Sequence, residues 1–310
     1  MRLSIVIVNW NTRELLAECL ASIDAYPPPC ACEVIVVDNA SQDGSASMVE
    51  QRFPNVRVIA NAVNRGFPAA NNQAITVSGG RYVLLLNSDA AVLPGTLDRL
   101  VRFMDAHPKV GALGAKLLNP DGSFQASYAD FPSLATELSL MTGASRLLIG
   151  PHAPSPRPRP NETARPVDWV GGAAMLVRAS ALEGVGLMDE GYFLYSEETD
   201  WCWRFWQAGW EVWYDPDSAV IHHGGASTRQ VSAPSYYRLY ASKVRFFGKA
   251  YGLDAARRFS ALVRVTAGVR LSLWTALAAL PNRPQTRQAL ELRKERDRRL
   301  RQLRAQPAPE

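Results

Sequence analysis

The chain has 310 residues, with 34 Lys and Arg against 29 Asp and Glu, 47% hydrophobic residues and four cysteines. That length allows one large or two ordinary domains at roughly 150 residues each, and the hydrophobic content excludes a disordered chain. A charged fraction of 20% excludes a charge-rich coiled coil, and so few cysteines exclude a disulfide scaffold.

Residues 3–8 are a run of Ile and Val that predicts a buried first strand. The run is too short for a signal peptide and no small-residue cleavage site follows it. Helical spacing predicts a helix over 14–23, a second strand over 33–37, a helix over 43–53 opened by Asp43-Gly44-Ser45, and a short strand over 56–60. A helix over 67–77, a fourth strand over 82–86, a helix over 97–105 and a strand over 111–118 follow. Six prolines between 151 and 166 predict a mobile surface loop. Strand character returns over 169–178. A helix over 199–208 carries Trp201, Trp203 and Trp206, which read as core rather than a sugar platform. Two short strands are expected over 211–214 and 219–222. From about Ser235 the pattern is helical, interrupted at Gly248 and Gly252. Strands alternating with helices predict an α/β fold with a mostly parallel central sheet flanked by helices, and a helical C-terminal extension. Cys30 and Cys32 form no C-x-x-C pair, so reduced cysteines and a cytoplasmic chain are expected. No run of 18 uncharged apolar residues is present, so no membrane-crossing helix is expected.

The net charge of +5 conceals an asymmetry. Residues 1–235 hold 17 basic and 24 acidic side chains, whereas residues 236–310 hold 17 basic and 5 acidic ones. The reading is therefore of two parts, a catalytic part over 1–235 and a basic, amphipathic helical part over 236–310. Residues 255–280 alternate apolar residues with Arg257, Arg258, Arg264 and Arg270, and the arginine-rich run 291–304 follows. A membrane surface carrying anionic lipid suits that pattern, as does a solvated helix or tail. No nucleic-acid-binding motif accompanies the basic tail, so nucleic acid is not an expected partner.

Four constellations carry chemistry. In V-I-V-V-D-N-A-S-Q-D-G-S (34–45), Asp38 ends a strand, where it suits either a nucleotide or the cap of the next turn. In L-L-L-N-S-D-A (84–90), Asp89 offers a hard oxygen for Mg²⁺ or Mn²⁺, or closes a turn. Y-S-E-E-T-D-W-C-W-R (195–204) puts Glu197, Glu198 and Asp200 at a helix start, as caps or as a general base. V-I-H-H-G-G-A-S (220–227) places His222 and His223 at a strand end, where one imidazole can join Asp89 on a metal.

Their order, together with SIVIVNWN (4–11), NRGFPAANNQAI (64–75), WVGGAAMLVR (169–178) and GLMDEGYFLYSEETDWCWRFWQAGW (186–210), resembles glycosyltransferase family 2, the inverting enzymes of GT-A fold. The likeness covers residues 3 to about 230 and is nearest the rhamnosyltransferase-like branch. The resemblance implies that Val8, Asn9 and Asp38 hold the nucleotide. Asn64, Arg65 and Gly66 would line the donor pocket, with Arg65 a cation for the diphosphate. It maps the family's D-x-D motif onto Asn87-Ser88-Asp89, so Asp89 is the main carboxylate on a divalent metal, Mg or Mn. His222 is the later ligand, with His223 the second choice. Glu198, rather than Glu197, is the catalytic base, and Trp169, Gly171 and Gly172 lie near the acceptor. The implied donor is dTDP-L-rhamnose, then a UDP-hexose, and the acceptor a glycan or lipid-linked glycan of the cell surface. This would place the enzyme in the cytoplasm, peripheral to the inner face of the membrane. A non-catalytic sugar-nucleotide or glycan-binding module is the competing reading, motivated by the Asn at 87.

Overall fold

The computed structural model of the protein describes residues 2–148, 153–156, 161–225, 232–280 and 284–305. The first elements are β1 (Leu3–Asn9), α1 (Arg13–Ala25), β2 (Cys32–Asp38), α2 (Ser45–Arg52), β3 (Arg57–Ala60), α3 (Phe67–Val77), β4 (Tyr82–Asn87), β5 (Ala90–Val92), α4 (Thr96–Ala106) and β6 (Val110–Leu118). Then come β7 (Phe124–Gln125), β8 (Tyr128–Ala129), α5 (Leu134–Thr142), α6 (Ser145–Leu148), β9 (Arg165–Pro166), β10 (Trp169–Val170), β11 (Ala174–Arg178), α7 (Leu182–Val185), α8 (Glu197–Gln207) and β12 (Glu211–His222). Three helices close the described chain: α9 (Ser232–Tyr251), α10 (Leu253–Ala278) and α11 (Pro284–Leu300).

The main sheet runs β3-β2-β1-β4-β11-β6-β12-β5, with β7 beside β6 and β9 beside β12. β3, β2, β1 and β4 are parallel, as right-handed strand–helix–strand crossovers dictate. β11 then runs against both its neighbours, and β12 is again parallel to β6. Successive side chains on a strand face opposite sides, and both sides are covered. Ile5, Ile7, Leu84 and Leu86 pack with α1 and α4 through Leu16, Leu20, Leu97, Leu100 and Met104. Val6, Val83 and Leu85 pack on the other side with Ala70 and Ala74 of α3 and Trp201 and Phe205 of α8.

Several elements differ from the sequence-based expectation, each for a local reason. The strand expected over 169–178 is two strands, because the chain turns at Gly172-Ala173. Val170 pairs with Tyr128 in a separate two-stranded sheet, while Ala174–Arg178 enters the main one. The two strands expected over 211–222 are one. β12 absorbs Pro216 in a register shift between Asp215 and Ala219, the kind of irregularity that admits proline to a sheet. The carboxylate of buried Asp215 holds that bulge, accepting from Ser218 Oγ at 2.6 Å and from Arg99 Nε and Nη2 at 2.8 and 3.0 Å. α9 passes through Gly248 unbroken, and the break falls only at Gly252, whose φ is +89°. The proline-rich stretch is not all surface: Ser155 is buried and accepts from the Tyr128 N–H at 3.2 Å, and Arg165–Pro166 pairs with β12. Its residues 151–152 and 157–160 lie outside the described residues.

The chain divides into two compact units. The first comprises the described residues of 2–131, 146–193 and 197–225, and holds the sheet. The second comprises 132–145, 194–196 and the described residues from 232 to 305. Within the second, Phe247 of α9 stacks on Phe259 of α10 with ring centroids 4.4 Å apart. Buried Asp297 of α11 takes hydrogen bonds from Arg270 at 2.8 Å and Trp274 Nε1 at 2.9 Å. Glu137 of α5, also buried, is paired with Lys243 at 2.7 Å. By length and composition α10 suffices to cross a membrane. Its sequence holds no uncharged apolar run of 18 residues, and its longest such stretch is Leu271 to Leu280. In the structure one side of α10, through Ala256, Phe259, Val263 and Ala267, is buried.

Candidate active site

Parallel register levels the strand ends. Val8 lies opposite Asn87, Asn9 opposite Asp38, and Asp38 opposite Ala60. The polar side chains that end β1, β2 and β4 therefore meet at the carboxyl edge of the sheet, where ligands of such folds bind. Asn9 Nδ2 donates to Asp38 Oδ1 at 3.1 Å, and the Ser41 N–H donates to Oδ2 at 3.0 Å. Asp38 thus caps the following turn, and it is held at the β1 terminus by the same carboxylate. Thr12 Oγ1 ties Asn9 to Ser88, at 2.6 and 2.8 Å. Val8 is half-buried beside them.

Asn39 organises the next segment. Its Oδ1 accepts from the Arg65 N–H at 2.9 Å, and its Nδ2 donates to Asn64 Oδ1 at 2.9 Å and to the Gly66 carbonyl at 3.2 Å. Gly66 has φ +84°, and a Cβ there would lie 2.7 Å from the Phe193 carbonyl oxygen, so only glycine fits. The Arg65 side chain is exposed.

Asn87, Asp89 and His222 converge from distant parts of the chain. His222 Nε2 lies 3.2 Å from Asp89 Oδ1 and 3.1 Å from Asn87 Nδ2. The pairing of β12 with β5, His222 opposite Ala90, produces that approach. The His223 backbone N–H donates to the Asp89 backbone carbonyl at 3.0 Å, next to the contact of the His222 ring with the Asp89 carboxylate. Among the described residues no group of three or more His, Cys, Asp and Glu side chains is gathered to hold a metal. One carboxylate oxygen and one imidazole nitrogen nonetheless fit a divalent cation that keeps several positions for phosphate oxygens and water, with Asn87 offering an amide at their side.

The three acids at the start of α8 have different surroundings. Asp200 is structural: it accepts from Arg204 Nε at 2.9 Å and from the Tyr192 hydroxyl at 3.3 Å. Glu197 is buried, and its Oε2 has no hydrogen-bond partner among the described residues. Burial, and then the neighbouring Glu198 carboxylate, push its carboxyl well above the ordinary range. Glu198 is half-buried, and its Cβ lies 3.8 Å from where a Cβ on Gly172 would stand, with Phe67 at a similar distance. The next residue, Ala173, accepts from the Asn87 N–H at 3.0 Å. A single short segment, Gly172-Ala173, therefore lies between Glu198 and the Asn87–Asp89 turn. Tyr195 and Ser196, with φ of +73° and +65°, lead the chain into these acids, a left-handed pair that costs conformational energy just ahead of the helix. Trp169 Nε1 donates to the Asp130 carbonyl at 3.0 Å, beside the same glycines. Of the three tryptophans of α8, Trp201 is fully buried, as expected, while Trp203 and Trp206 are half-buried.

Thr12, Ser41 and Gln125 join this network without having been singled out as site residues from the sequence, whereas Asn39 is one of the polar strand-end residues that the sequence places at the ligand edge. For Gln125 the available signal was the turn Asn119-Pro120-Asp121-Gly122-Ser123 just before it.

A mixed α/β sheet of this strand order, flanked by helices on both faces, is that of the GT-A fold. Solved structures of that class match it. A Staphylococcus aureus TarS structure in complex with UDP aligns with TM-score 0.57 at 18% identity, over 97% of this chain and 89% of that one. The mannosyltransferase of Pyrobaculum calidifontis in complex with GDP-Man and Mn²⁺ aligns with TM-score 0.55 at 18% identity, over 95% and 84%. In sequence, the N-acetylglucosaminyl-diphospho-decaprenol L-rhamnosyltransferase of Mycobacterium tuberculosis is 34% identical over 247 residues, 73% of this chain and 77% of that protein. The profile of Glycosyl transferase family 2 matches residues 4–163. The chain belongs to glycosyltransferase family 2, and it is a glycosyltransferase that uses a nucleotide-sugar donor.

Proposed function

We propose that the protein is an inverting, divalent-metal-dependent transferase that moves L-rhamnose from dTDP-L-rhamnose to a hydroxyl of a lipid-linked glycan in cell-surface polysaccharide synthesis. The observation that carries the metal-dependent reading is the approach of Asp89 and His222 to 3.2 Å at the sheet edge. The name of the mycobacterial relative supports the sugar and the lipid-linked acceptor. A UDP-hexose is the second donor, favoured by the UDP bound to the TarS neighbour.

In this reading Asn9 and Asp38 receive the nucleoside, Asn64 and Gly66 shape the donor pocket, and the exposed Arg65 offers a guanidinium to the diphosphate. Asp89 and His222 hold the cation, beside Asn87 and Ser88. When bound, Mg²⁺ or Mn²⁺ supplies positive charge to the diphosphate as it leaves. Glu198 takes the proton of the acceptor hydroxyl. Such a hydroxyl ionises far above neutral pH and so needs a base as it attacks the anomeric carbon. Attack opposite the leaving group inverts that centre. Glu197 is unsuited to be the base, since its burial favours the protonated form. Catalysis is assigned to residues 1–235. The basic part beyond it is proposed to lie on the cytoplasmic face of the membrane. There Val265, Val269, Leu273, Leu277 and Leu280 form an exposed apolar stripe on α10 and the turn after it.

Release of nucleoside diphosphate and the anomeric configuration of the product, followed by NMR, test the reading with dTDP-L-rhamnose and UDP-glucose as donors, each with Mn²⁺ or EDTA. Glu198→Gln is expected to lower turnover by roughly 10²–10⁴-fold while keeping the thermal shift that a nucleotide induces. Retained turnover in that variant, or a product of unchanged anomeric configuration, overturns the mechanism. A protein whose melting temperature responds to no nucleotide overturns the transferase reading.

A further inference from the structure

Gln125 lies outside every motif above, yet it contacts His222 twice. Its position comes from the hairpin that joins β6 to β7. The Asn119 N–H donates to the Ser123 carbonyl and the Gly122 N–H to the Asn119 carbonyl, both at 2.8 Å. Asp121 accepts from the Ser123 N–H and hydroxyl at 2.9 and 2.6 Å. The turn sets Leu117 opposite Gln125.

From there the Gln125 amide nitrogen donates to Asn119 Oδ1 at 2.9 Å and to the His222 backbone carbonyl at 3.1 Å. A backbone carbonyl only accepts, so the second bond fixes which end of the amide faces β12. The amide oxygen is then the atom 2.6 Å from His222 Nδ1. That oxygen carries no hydrogen, so Nδ1 must. A neutral imidazole has one N–H, which leaves Nε2 as an acceptor, with the Asn87 amide nitrogen donating to it at 3.1 Å and Asp89 Oδ1 lying 3.2 Å away. A carboxylate oxygen and an imidazole lone pair this close can be shared by one divalent cation, with Asn87 turning aside. Gly224 belongs to the same arrangement, since a Cβ on it would sit 3.2 Å from the Gln125 amide nitrogen.

We propose that Gln125 is a positioning residue that locks His222 in the Nδ1–H tautomer and so aims Nε2 at the cation held with Asp89. This rests on the reading of Asp89 and His222 as metal ligands. Outer partners of a ligating histidine typically contribute about 10–100-fold in metal affinity, and Gln125 is assigned a role of that kind.

The test has two arms. In the metal-free wild-type protein, two-bond ¹H–¹⁵N correlations of the imidazoles report the tautomer directly, with the His222 signal assigned by its loss in His222→Ala. The expected result is a protonated Nδ1 and an unprotonated Nε2 on His222, and the opposite tautomer overturns the proposal without any Gln125 variant. In the second arm Mn²⁺ alone is titrated by EPR into wild type, Gln125→Leu, Gln125→Glu and His222→Ala. Gln125→Leu is expected to weaken Mn²⁺ roughly 10-fold or more and to give a mixed tautomer. Gln125→Glu, which keeps an acceptor on Nδ1–H, is expected to restore the tautomer. If His222→Ala loses Mn²⁺ and a folded Gln125→Leu does not, the positioning role alone is overturned. If His222→Ala binds as wild type does, or wild type binds none, the ligand reading fails as well.

Discussion

At the scale of single residues, two positions separate backbone geometry from charge. Gly66 turns the chain from β3 toward α3 with a left-handed φ, and its missing Cβ leaves room for the Phe193 carbonyl. Gly66→Ala adds strain of order 1–3 kcal/mol to a backbone overlap that side-chain motion cannot relieve. A loss of about 3 kcal/mol is expected from urea unfolding, seen as a lower midpoint at unchanged slope. Glu197 is the opposite case. Its carboxyl is raised by burial and by Glu198, so the native state retains a proton that the unfolded chain releases above the ordinary value of 4.5. Where the native state binds more protons, stability falls as pH rises. Glu197→Gln removes that slope. Its melting temperature should exceed that of wild type by more at about pH 8 than at about pH 5, and equal differences at the two values would remove the assigned cause. The sequence disclosed that a carboxylate cluster opens this helix. It did not disclose which acid is buried, because adjacent positions point about 100° apart and only the packed sheet defines the inner side.

At the scale of elements, α9 and α10 show how glycine is read differently by neighbours and by the fold. Both Gly248 and Gly252 looked like interruptions. Gly252 is one, with φ +89° ahead of α10, whereas Gly248 is helical and a Cβ on it would meet Ala256 Cβ at an ordinary 3.6 Å. Gly248→Ala should therefore raise the stability of the protein by about 0.5–1 kcal/mol through the lost freedom of the unfolded chain. Thermal melting checks this, and a drop on substitution would mean the helix contact is tighter than its distance suggests. The same distinction explains β12. Pro216 reads as a strand break from its missing N–H, yet Asp215 and Arg99, from strand and helix far apart in sequence, hold a bulge that accommodates it. Strand and helix existence was legible from hydrophobic period. Their joins were not, because a bulge or a glycine break depends on partners elsewhere in the chain.

For the whole molecule, charge and apolar surface fall on the same C-terminal segment. Val265 and Val269 are 64% and 57% exposed and Leu273 is 55% exposed, at a four-residue spacing that keeps them on one helix side, with exposed Arg257 and Arg258 preceding them. Each basic residue close to anionic lipid contributes about 1 kcal/mol, and the effect is screened by salt. The double variant Val269→Asp, Leu273→Asp should lose sedimentation with phosphatidylserine vesicles at low salt and keep turnover on a soluble acceptor. Unchanged sedimentation would leave the stripe without a membrane role.

The sequence by itself determined the alternation of strands and helices, the polar residues that end β1, β2 and β4, and the order of motifs that marks the family. All of these are written in residues close together along the chain, where periodicity and turn chemistry act directly. Tertiary structure alone decided that His222 meets Asn87 across 135 positions, that Gln125 governs its ring, and that Glu197 is buried while Glu198 stands half-buried beside Gly172. The first two outcomes depend on β12 inserting between β6 and β5 and on a hairpin register, and the third on how α8 packs on the sheet. Such long-range pairings are fixed by burying both sheet faces at once, and no local pattern of residues encodes them.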